Sequence, residues 1–234
     1  MSVVDDLILS IKRGDTPATR LARDTYRALL HFNLPDTPAT RRLFASLYYA
    51  HDAAQAGREW ALSKLLIEPM VRARFHSVGA RLRCGKLPYI VGHTKITVGD
   101  DCTIGKLSVA SGRFVDEPEL RIGNHVTIGT GVFMSVNKRV TIGDHVGIAG
   151  RVAISDSDGH PGDVERRLRG EPMTADDIQP VTIEDYVWIG RDAHILKGVT
   201  IGRGAAVASG SVVATDVPPG ALAMGVPARI VKRA

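Results

Sequence analysis

One histidine of this chain stands in a setting suited to acid–base chemistry. His160 lies between Gly159 and Pro161, inside a polar stretch that separates two apolar, repetitive segments. An unperturbed imidazole has a pKa near ~6.5, so near neutral pH it can take a proton from a hydroxyl group and give it up again. Taken alone, a loop histidine that only caps a turn is the more ordinary interpretation, so the surrounding segments must decide between the two.

The two cysteines and the other histidines do not indicate a further reactive site or a metal site. Cys84 and Cys102 do not make a disulfide framework. His125 and His145 occupy equivalent places in two similar stretches, GNHV and GDHV, which predicts corner residues at the surface. They lie 20 residues apart and no His-x4-His pair occurs, so the sequence predicts no metal site. We assign no role to the other histidines: His31, His51, His76, His93 and His194.

The composition of the chain excludes several classes of protein. With 24 glycines and only 5% aromatic residues in 234, the chain favours stacked short strands over a bulky helical core. The net charge of +5 is spread among acidic residues without a basic run, which argues against nucleic-acid binding. The N-terminus lacks the features of a signal peptide, and no apolar run approaches the ~18 residues of a membrane span. We therefore expect a cytoplasmic protein with no membrane span.

Residues 1–76 are predicted to be helical. Thr16-Pro17 and Thr37-Pro38 each place a capping hydroxyl before a proline at the first helical position. Apolar residues then recur at helical spacing, and Pro69 is expected to end or kink the last helix. Those apolar positions are Leu21, Leu29, Leu30, Leu43, Phe44, Leu47, Tyr48, Trp60, Leu62, Leu65, Leu66 and Ile67. We interpret this segment as a helical cap or an oligomer contact.

From residue 78 onward the apolar period becomes six. Branched apolar residues begin each repeat, and a small or β-branched residue follows four places later. The first set comprises Val98, Ile104, Ile122, Ile128, Ile142, Ile148, Ile154, Ile183, Ile189, Ile195, Ile201, Val207 and Val213. Such a period predicts a short strand, a corner and another short strand, stacked as a parallel β-helix.

These repeats predict three regions along the chain. They are a helical segment at 1–76, an all-β main domain at 77–220, and a C-terminal tail at 221–234. A single long excursion at 155–180 interrupts the period and carries His160. An excursion within a solenoid is more often functional than structural.

The repeats, the Gly159-His160-Pro161 motif and the tail that runs from Gly225 to Lys232 (GVPARIVK) resemble the hexapeptide-repeat acyltransferases. Within that family the chain looks most like the galactoside, maltose and polysaccharide sugar O-acetyltransferases, over residues 90–234. The resemblance implies a left-handed parallel β-helix, acetyl-CoA as the donor, and a homotrimer with active sites between subunits. It also makes His160 the catalytic base, which activates an acceptor hydroxyl for direct attack on the thioester.

The resemblance also places the other site residues. Contacts with the cofactor fall on Trp188, Arg191, Ser209, Ala214, Thr215, Arg229 and Lys232, and the last two are basic groups suited to phosphate. Acceptor contacts fall on Ser135, Asn137 and Asp158, where the family has asparagine at the place of Ser135. Asp156 and Asp158 are equally compatible with orienting the imidazole and with forming a turn.

Several other functions fit the same repeats. The chain could be an N-acetyltransferase for a nucleotide-linked amino sugar, a metal-dependent hydratase like the γ-carbonic anhydrases, or a catalytically dead scaffold. The hydratase lacks its histidine ligands here, and the intact Gly-His-Pro motif argues against the scaffold. The sequence therefore favours a sugar or other small hydroxyl acceptor without identifying it.

Overall fold

The computed structural model describes residues 3–112 and 117–232, and the chain divides into two compact units, Met1–Gln55 and Ala56–Ala234. Helices occupy the N-terminal part, and two short helices lie in the excursion. They are α1 (Val3–Arg13), α2 (Pro17–Leu30), α3 (Pro38–Leu62), a π-helix (Ser63–Ile67), α4 (Glu68–Arg74), α5 (Val164–Leu168) and a 3₁₀-helix (Ala175–Asp177). None of the described helices is both long enough and apolar enough to cross a membrane.

The two Thr-Pro pairs begin helices as predicted. Thr16 accepts a hydrogen bond from the Thr19 backbone N–H at 3.2 Å, and α2 starts at Pro17. Thr37 caps α3 in the same way through Thr40. Neither α2 nor α3 buries a single residue, so their apolar stripes lie open, with Leu21 70% and Leu43 57% exposed. The stripes are thus present but are not part of a core.

Pro69 changes the hydrogen-bonding pattern of the helix and does not end the helix. A proline has no N–H to donate to the carbonyl four residues earlier, so an α-helical register is interrupted there. The chain passes through the π-helix, in which the Glu68 N–H bonds to the Ser63 carbonyl, and continues as α4. The Ser63 hydroxyl also donates to the Cys84 carbonyl at 2.9 Å, which fixes this helix to the first coil.

Twenty short strands follow among the described residues, and every pairing is parallel except that of the last two strands. Sheet 1 contains β1 (Ser77–Val78), β4 (Lys95–Val98), β7 (Glu119–Ile122), β10 (Arg139–Ile142), β13 (Val181–Ile183) and β16 (Thr200–Ile201). Sheet 2 contains β2 (Arg83–Cys84), β5 (Thr103–Ile104), β8 (Thr127–Ile128), β11 (Gly147–Ile148), β14 (Trp188–Ile189), β17 (Ala206–Val207), β19 (Leu222–Gly225) and β20 (Ala228–Lys232). Sheet 3 contains β3 (Tyr89–Val91), β6 (Leu107–Ala110), β9 (Val132–Ser135), β12 (Ala153–Ser155), β15 (His194–Ile195) and β18 (Val212–Val213).

Successive strands of one sheet come from successive coils, so equivalent residues stack on one another. In sheet 2 the inward ladder runs through Ile104, Ile128, Ile148, Ile189 and Val207, with every member at most 2% exposed. Every repeat-starting residue named above is buried in the same way. This arrangement confirms the predicted parallel β-helix behind a helical segment.

The corners use left-handed backbone at seven described residues other than glycine. Positive φ angles of 53° to 61° occur at Arg81, Asp101, His125, His145, Arg151, Tyr186 and Asp192. Each such residue costs roughly 1–2 kcal/mol. Stacking between coils offsets this cost, because the His125 ring lies 4.5 Å from that of His145, which lies 5.0 Å from the Tyr186 ring. Both histidines are therefore exposed corner residues, as predicted.

Truncating an inward residue should cost much more stability than truncating an outward one. We expect Ile148→Ala to lower the free energy of unfolding by about 2–5 kcal/mol, because it leaves a cavity in the ladder. Leu168→Ala removes a side chain that is 78% exposed, and we expect a change within about 0.5 kcal/mol. Urea unfolding followed by circular dichroism measures both, and equal losses would contradict the ladder as the source of stability.

Candidate functional site

The excursion leaves the β-helix after β12 and returns at β13, and its base is tied to the coils. Ser157 pairs with Ile178 in an isolated bridge, and the Gln179 N–H donates to the Asp156 carbonyl at 2.8 Å. The ladder around it is undisturbed, since Ile148 still pairs with Ile189 although 41 residues separate them. The insertion therefore projects from the corner between sheet 3 and sheet 1.

Asp156 directly follows β12 and is a buried acceptor for the backbone at the turn before β10. Its carboxylate accepts hydrogen bonds from the backbone N–H groups of Asn137, Lys138 and Arg139 at 2.7–2.9 Å. The residue is 0% exposed, and burial raises the pKa of this carboxyl although the backbone bonds act in the opposite direction. Asp156 and the backbone of residues 137–139 thus form a buried platform from which the excursion starts.

His160 is exposed on the excursion, four residues beyond this platform. Its Nδ1 lies 3.1 Å from the carbonyl oxygen of Pro161. A carbonyl oxygen can only accept, so this bond requires a proton on Nδ1 and leaves the lone pair of the neutral ring on Nε2. In this tautomer Nε2 is the ring nitrogen that can accept a proton.

A cavity of about 500 Å³ lies beside this imidazole. All of its lining residues belong to the excursion: Gly159, His160, Pro161, Arg167, Gly170, Glu171, Pro172 and Met173. Arg167 is exposed and donates to the Gly162 carbonyl at 3.2 Å. The excursion thus forms an open cleft in which a small polar molecule could meet His160.

The three residues predicted to contact the acceptor are placed differently. Ser135 is partly exposed at the end of β9, beside Ser155 in the parallel register. Asn137 is only 3% exposed, and its amide is bonded to the Gly112 N–H at 2.7 Å and to the Ser157 hydroxyl at 2.7 Å. Asp158 forms an ion pair with Lys197 at 2.5 Å instead of contacting the imidazole. Asn137 therefore supports the turn, whereas Ser135 is partly exposed and Asp158 is exposed.

The predicted cofactor residues lie on two corners of the β-helix. Trp188 is 58% exposed on β14 and covers the bare backbone of Gly147, where a Cβ would come within 2.5 Å of Cε3. Arg191 and Ser209 follow β14 and β17, so they occupy the same corner on successive coils, and the Gly210 N–H donates to the Arg191 carbonyl at 2.8 Å. This first group runs along the corner between sheets 2 and 3.

The second group lies on the other side of sheet 3. Ala214 and Thr215 are exposed after β18, and Thr215 shares a cavity of about 110 Å³ with Arg229. Arg229 is exposed on β20, where its guanidinium donates to the Ala228 carbonyl at 3.0 Å. Lys232 ends β20, and its side chain lies outside the described residues. The tail is thus a hairpin of β19 and β20 that brings Arg229 to Thr215.

Two residues that hold the excursion in place are not recognisable from the sequence. Asp177 accepts from the Gly162 and Thr174 N–H groups at 3.2 and 2.8 Å, and Lys197 also reaches the Asp177 carbonyl at 3.4 Å. In the sequence Asp177 belongs to an acidic pair and Lys197 follows an ordinary repeat, so both resemble solvated surface residues. Over the described ranges, no three His, Cys, Asp or Glu side chains are grouped to hold a metal ion.

Comparisons with known proteins point to one group of enzymes. A family model described as "Bacterial transferase hexapeptide (six repeats)" matches residues 180–215. Galactoside O-acetyltransferase of Escherichia coli is 39% identical over 116 residues, which covers 47% of this chain and 55% of that enzyme. The 2,3,4,5-tetrahydropyridine-2,6-dicarboxylate N-acetyltransferase of Staphylococcus aureus is 52% identical over 64 residues, 27% of this chain and 26% of that one.

A solved structure extends the similarity along the chain. A hexapeptide-repeat acetyltransferase of Vibrio cholerae, complexed with acetyl-CoA, is 30% identical with a TM-score of 0.52. The match covers 77% of this chain and 85% of that one. The chain spans less than two thirds of the length of the two curated relatives.

Removing the buried carboxylate of the platform should destabilise the protein. Asp156→Ala leaves three backbone donors without their acceptor, and each unsatisfied buried donor costs about 1–3 kcal/mol. We expect the free energy of urea unfolding to fall by at least about 2 kcal/mol. Asp176→Ala is the control, because Asp176 is exposed and has no side-chain partner in 3–112 or 117–232. Equal unfolding midpoints for the two variants would contradict the structural role of Asp156.

Proposed function

The chain belongs to the hexapeptide-repeat acetyltransferases, and on that premise we propose that it transfers an acetyl group from acetyl-CoA to a hydroxyl of a sugar or another small molecule. The observation that carries this proposal is the exposed His160 at the wall of the excursion cavity, with its Nδ1 engaged by the Pro161 carbonyl. The similarity to the E. coli galactoside enzyme supports a hydroxyl acceptor.

The proposed reaction needs a base and no covalent enzyme intermediate. A hydroxyl is a poor nucleophile near neutral pH, whereas the thioester is already activated. In our scheme Nε2 of His160 takes the hydroxyl proton as the acceptor oxygen attacks the acetyl carbon. The carbon–sulfur bond then breaks, and the imidazolium returns the proton to the leaving thiolate. The bond from Nδ1 to the Pro161 carbonyl keeps the lone pair of the neutral ring on Nε2 in this scheme.

The acceptor site in this proposal is the excursion cavity. Arg167 offers guanidinium donors at its wall, and the backbone of the lining glycines offers further polar groups. Asp158 uses one carboxylate oxygen for Lys197, so the other could accept from a sugar hydroxyl. We keep Ser135 and Asp158 as candidate acceptor contacts and assign Asn137 an indirect role, because its amide is engaged within the turn.

The donor site in this proposal requires a second subunit. The two groups of cofactor residues are separated by sheet 3, so one extended molecule is best placed in a groove to which two chains contribute. The outer face of sheet 3 also exposes Tyr89 and Phe133, by 67% and 42%, and exposed apolar surface of this kind favours an intersubunit contact. We therefore propose a homotrimer with acetyl-CoA between neighbouring β-helices.

His160→Ala tests the base. Because His160 takes the hydroxyl proton in this scheme, we expect turnover to fall by about two to four orders of magnitude. Release of free thiol from acetyl-CoA, measured with a panel of sugars and nucleotide sugars, reports the rate. An unchanged rate in this variant would overturn the mechanism.

The same variant separates hydroxyl from amine acceptors. A free amine is a better nucleophile and depends less on a base. The similarity to an S. aureus N-acetyltransferase makes this second function worth testing. If the parent enzyme prefers an amino sugar and His160→Ala keeps most of that rate, then N-acetylation replaces our proposal.

Arg229→Ala tests the donor site. Loss of a guanidinium that meets a phosphate of acetyl-CoA should raise the KM for acetyl-CoA by about tenfold or more, with little change in kcat. Arg203→Ala is the control, since Arg203 lies over the Tyr186 ring at another corner. A KM for acetyl-CoA that is the same in both variants would remove Arg229 from the donor site.

A further inference from the structure

His160 is flanked by two anchored residues. Two positions before it, the Asp158 carboxylate is bonded to the Lys197 ammonium at 2.5 Å. Two positions after it, the Gly162 N–H donates to the Asp177 carboxylate at 3.2 Å. Lys197 also donates to the Asp177 backbone carbonyl at 3.4 Å, which joins the two anchors to each other.

The backbone between these anchors has little conformational preference of its own. Gly159 adopts a φ of +80°, and both Gly159 and Gly162 have open space where a Cβ would be. Glycine samples more backbone conformations than any other residue, so this segment would lose a large entropy if it had to order itself. The position of the imidazole therefore depends on contacts at either end of the segment.

Asp177 is the more enclosed of the two anchors. It is 9% exposed, and besides Gly162 it accepts from the Thr174 N–H at 2.8 Å and from the Arg166 guanidinium at 3.0 Å. Backbone donors, chiefly Thr174, hold the pKa of its carboxyl well below the usual range. A lowered pKa keeps the carboxylate ionised down to strongly acidic pH, so this anchor is intact throughout the range in which an imidazole titrates.

Lys197 connects the excursion to the body of the β-helix. It follows β15, which pairs with β12 through Ile154 and Ile195, so its backbone is fixed by the coil next to the start of the excursion. Its side chain is 25% exposed, and its two acceptors lie on opposite limbs of the excursion. One ammonium group thus holds both limbs against the coil.

We infer that Asp177 and Lys197 are positioning residues that hold the His160 imidazole in place for proton transfer. The inference rests on the proposed function, in which His160 is the base. Neither residue acts on the reacting atoms in this scheme. They act through the backbone on each side of the histidine, and a displacement of about 1 Å at such a group can cost about 100-fold in rate.

Two matched pairs of variants test the inference. Asp177→Asn keeps the shape of the side chain but removes its charge and one acceptor oxygen, and Lys197→Met removes the ammonium at similar length. We expect each to lower kcat by about 10- to 100-fold, with the KM for acetyl-CoA within about twofold of the parent value. Asp176→Asn and Lys95→Met are the controls, because both side chains are exposed and neither bonds to Asp158, Gly162 or Lys197 among the described residues. A kcat in Asp177→Asn and Lys197→Met equal to that of the controls would overturn the inference.

A double variant separates positioning from a general structural role. If Asp177 acts through His160, adding Asp177→Asn to His160→Ala should lower the residual rate no further. A further fall by the same factor as in the parent background would show that Asp177 supports folding or acceptor binding instead, and would overturn the inference.

A loss of stability, a wrong choice of base and a wrong choice of anchors give different results. Thermal unfolding is measured for every variant, and if Asp177→Asn lowers the melting temperature, the kcat of Lys197→Met decides the question. Full activity in His160→Ala would overturn the proposed function and the positioning of its base together. Loss of activity in His160→Ala with full kcat in both anchor variants would overturn the anchors alone.

Discussion

The structure depends on the stacking of equivalent residues from one coil to the next. A strand of two residues cannot bury its own side chains, so Ile128 is enclosed only because Ile104 and Ile148 lie directly below and above it. This constraint explains the narrow choice of inward residues, since each repeat places one branched apolar side chain and one small or β-branched side chain inside the coil. It also explains why residues as unlike as His145 and Tyr186 share a corner, where their rings stack on the outside.

The same constraint explains how the excursion can exist. Because Ile148 and Ile189 stay in register across the insertion, the coils on both sides are already complete. The inserted residues therefore contribute little to the core and are free to form a cavity. In return they need anchors of their own, which Asp156 supplies at the base and Lys197 and Asp177 supply around His160. Polar contacts thus hold the excursion in place, whereas apolar stacking stabilises the coils.

The proposed homotrimer would account for the apolar side chains that are exposed on the single chain. The outer face of sheet 3 and the stripes of α2 and α3 are exposed, although isolated helices gain most of their stability from packing. A homotrimer would cover such surface and would unite the two groups of cofactor residues that sheet 3 separates.

The sequence alone determined the β-helix, because a period of six is repeated at many positions and each repeat specifies the same local geometry. It also placed His160 in the single long interruption and predicted the capped starts of α2 and α3. It could not assign Asn137, Asp156 or Asp158, since a polar residue in a turn has the same local signature whether it contacts a ligand or the backbone. Only the tertiary structure decided that Asn137 and Asp156 are buried and that Asp158 pairs with Lys197, 39 residues away. Those contacts join segments that the excursion separates along the chain, and no local periodicity encodes them.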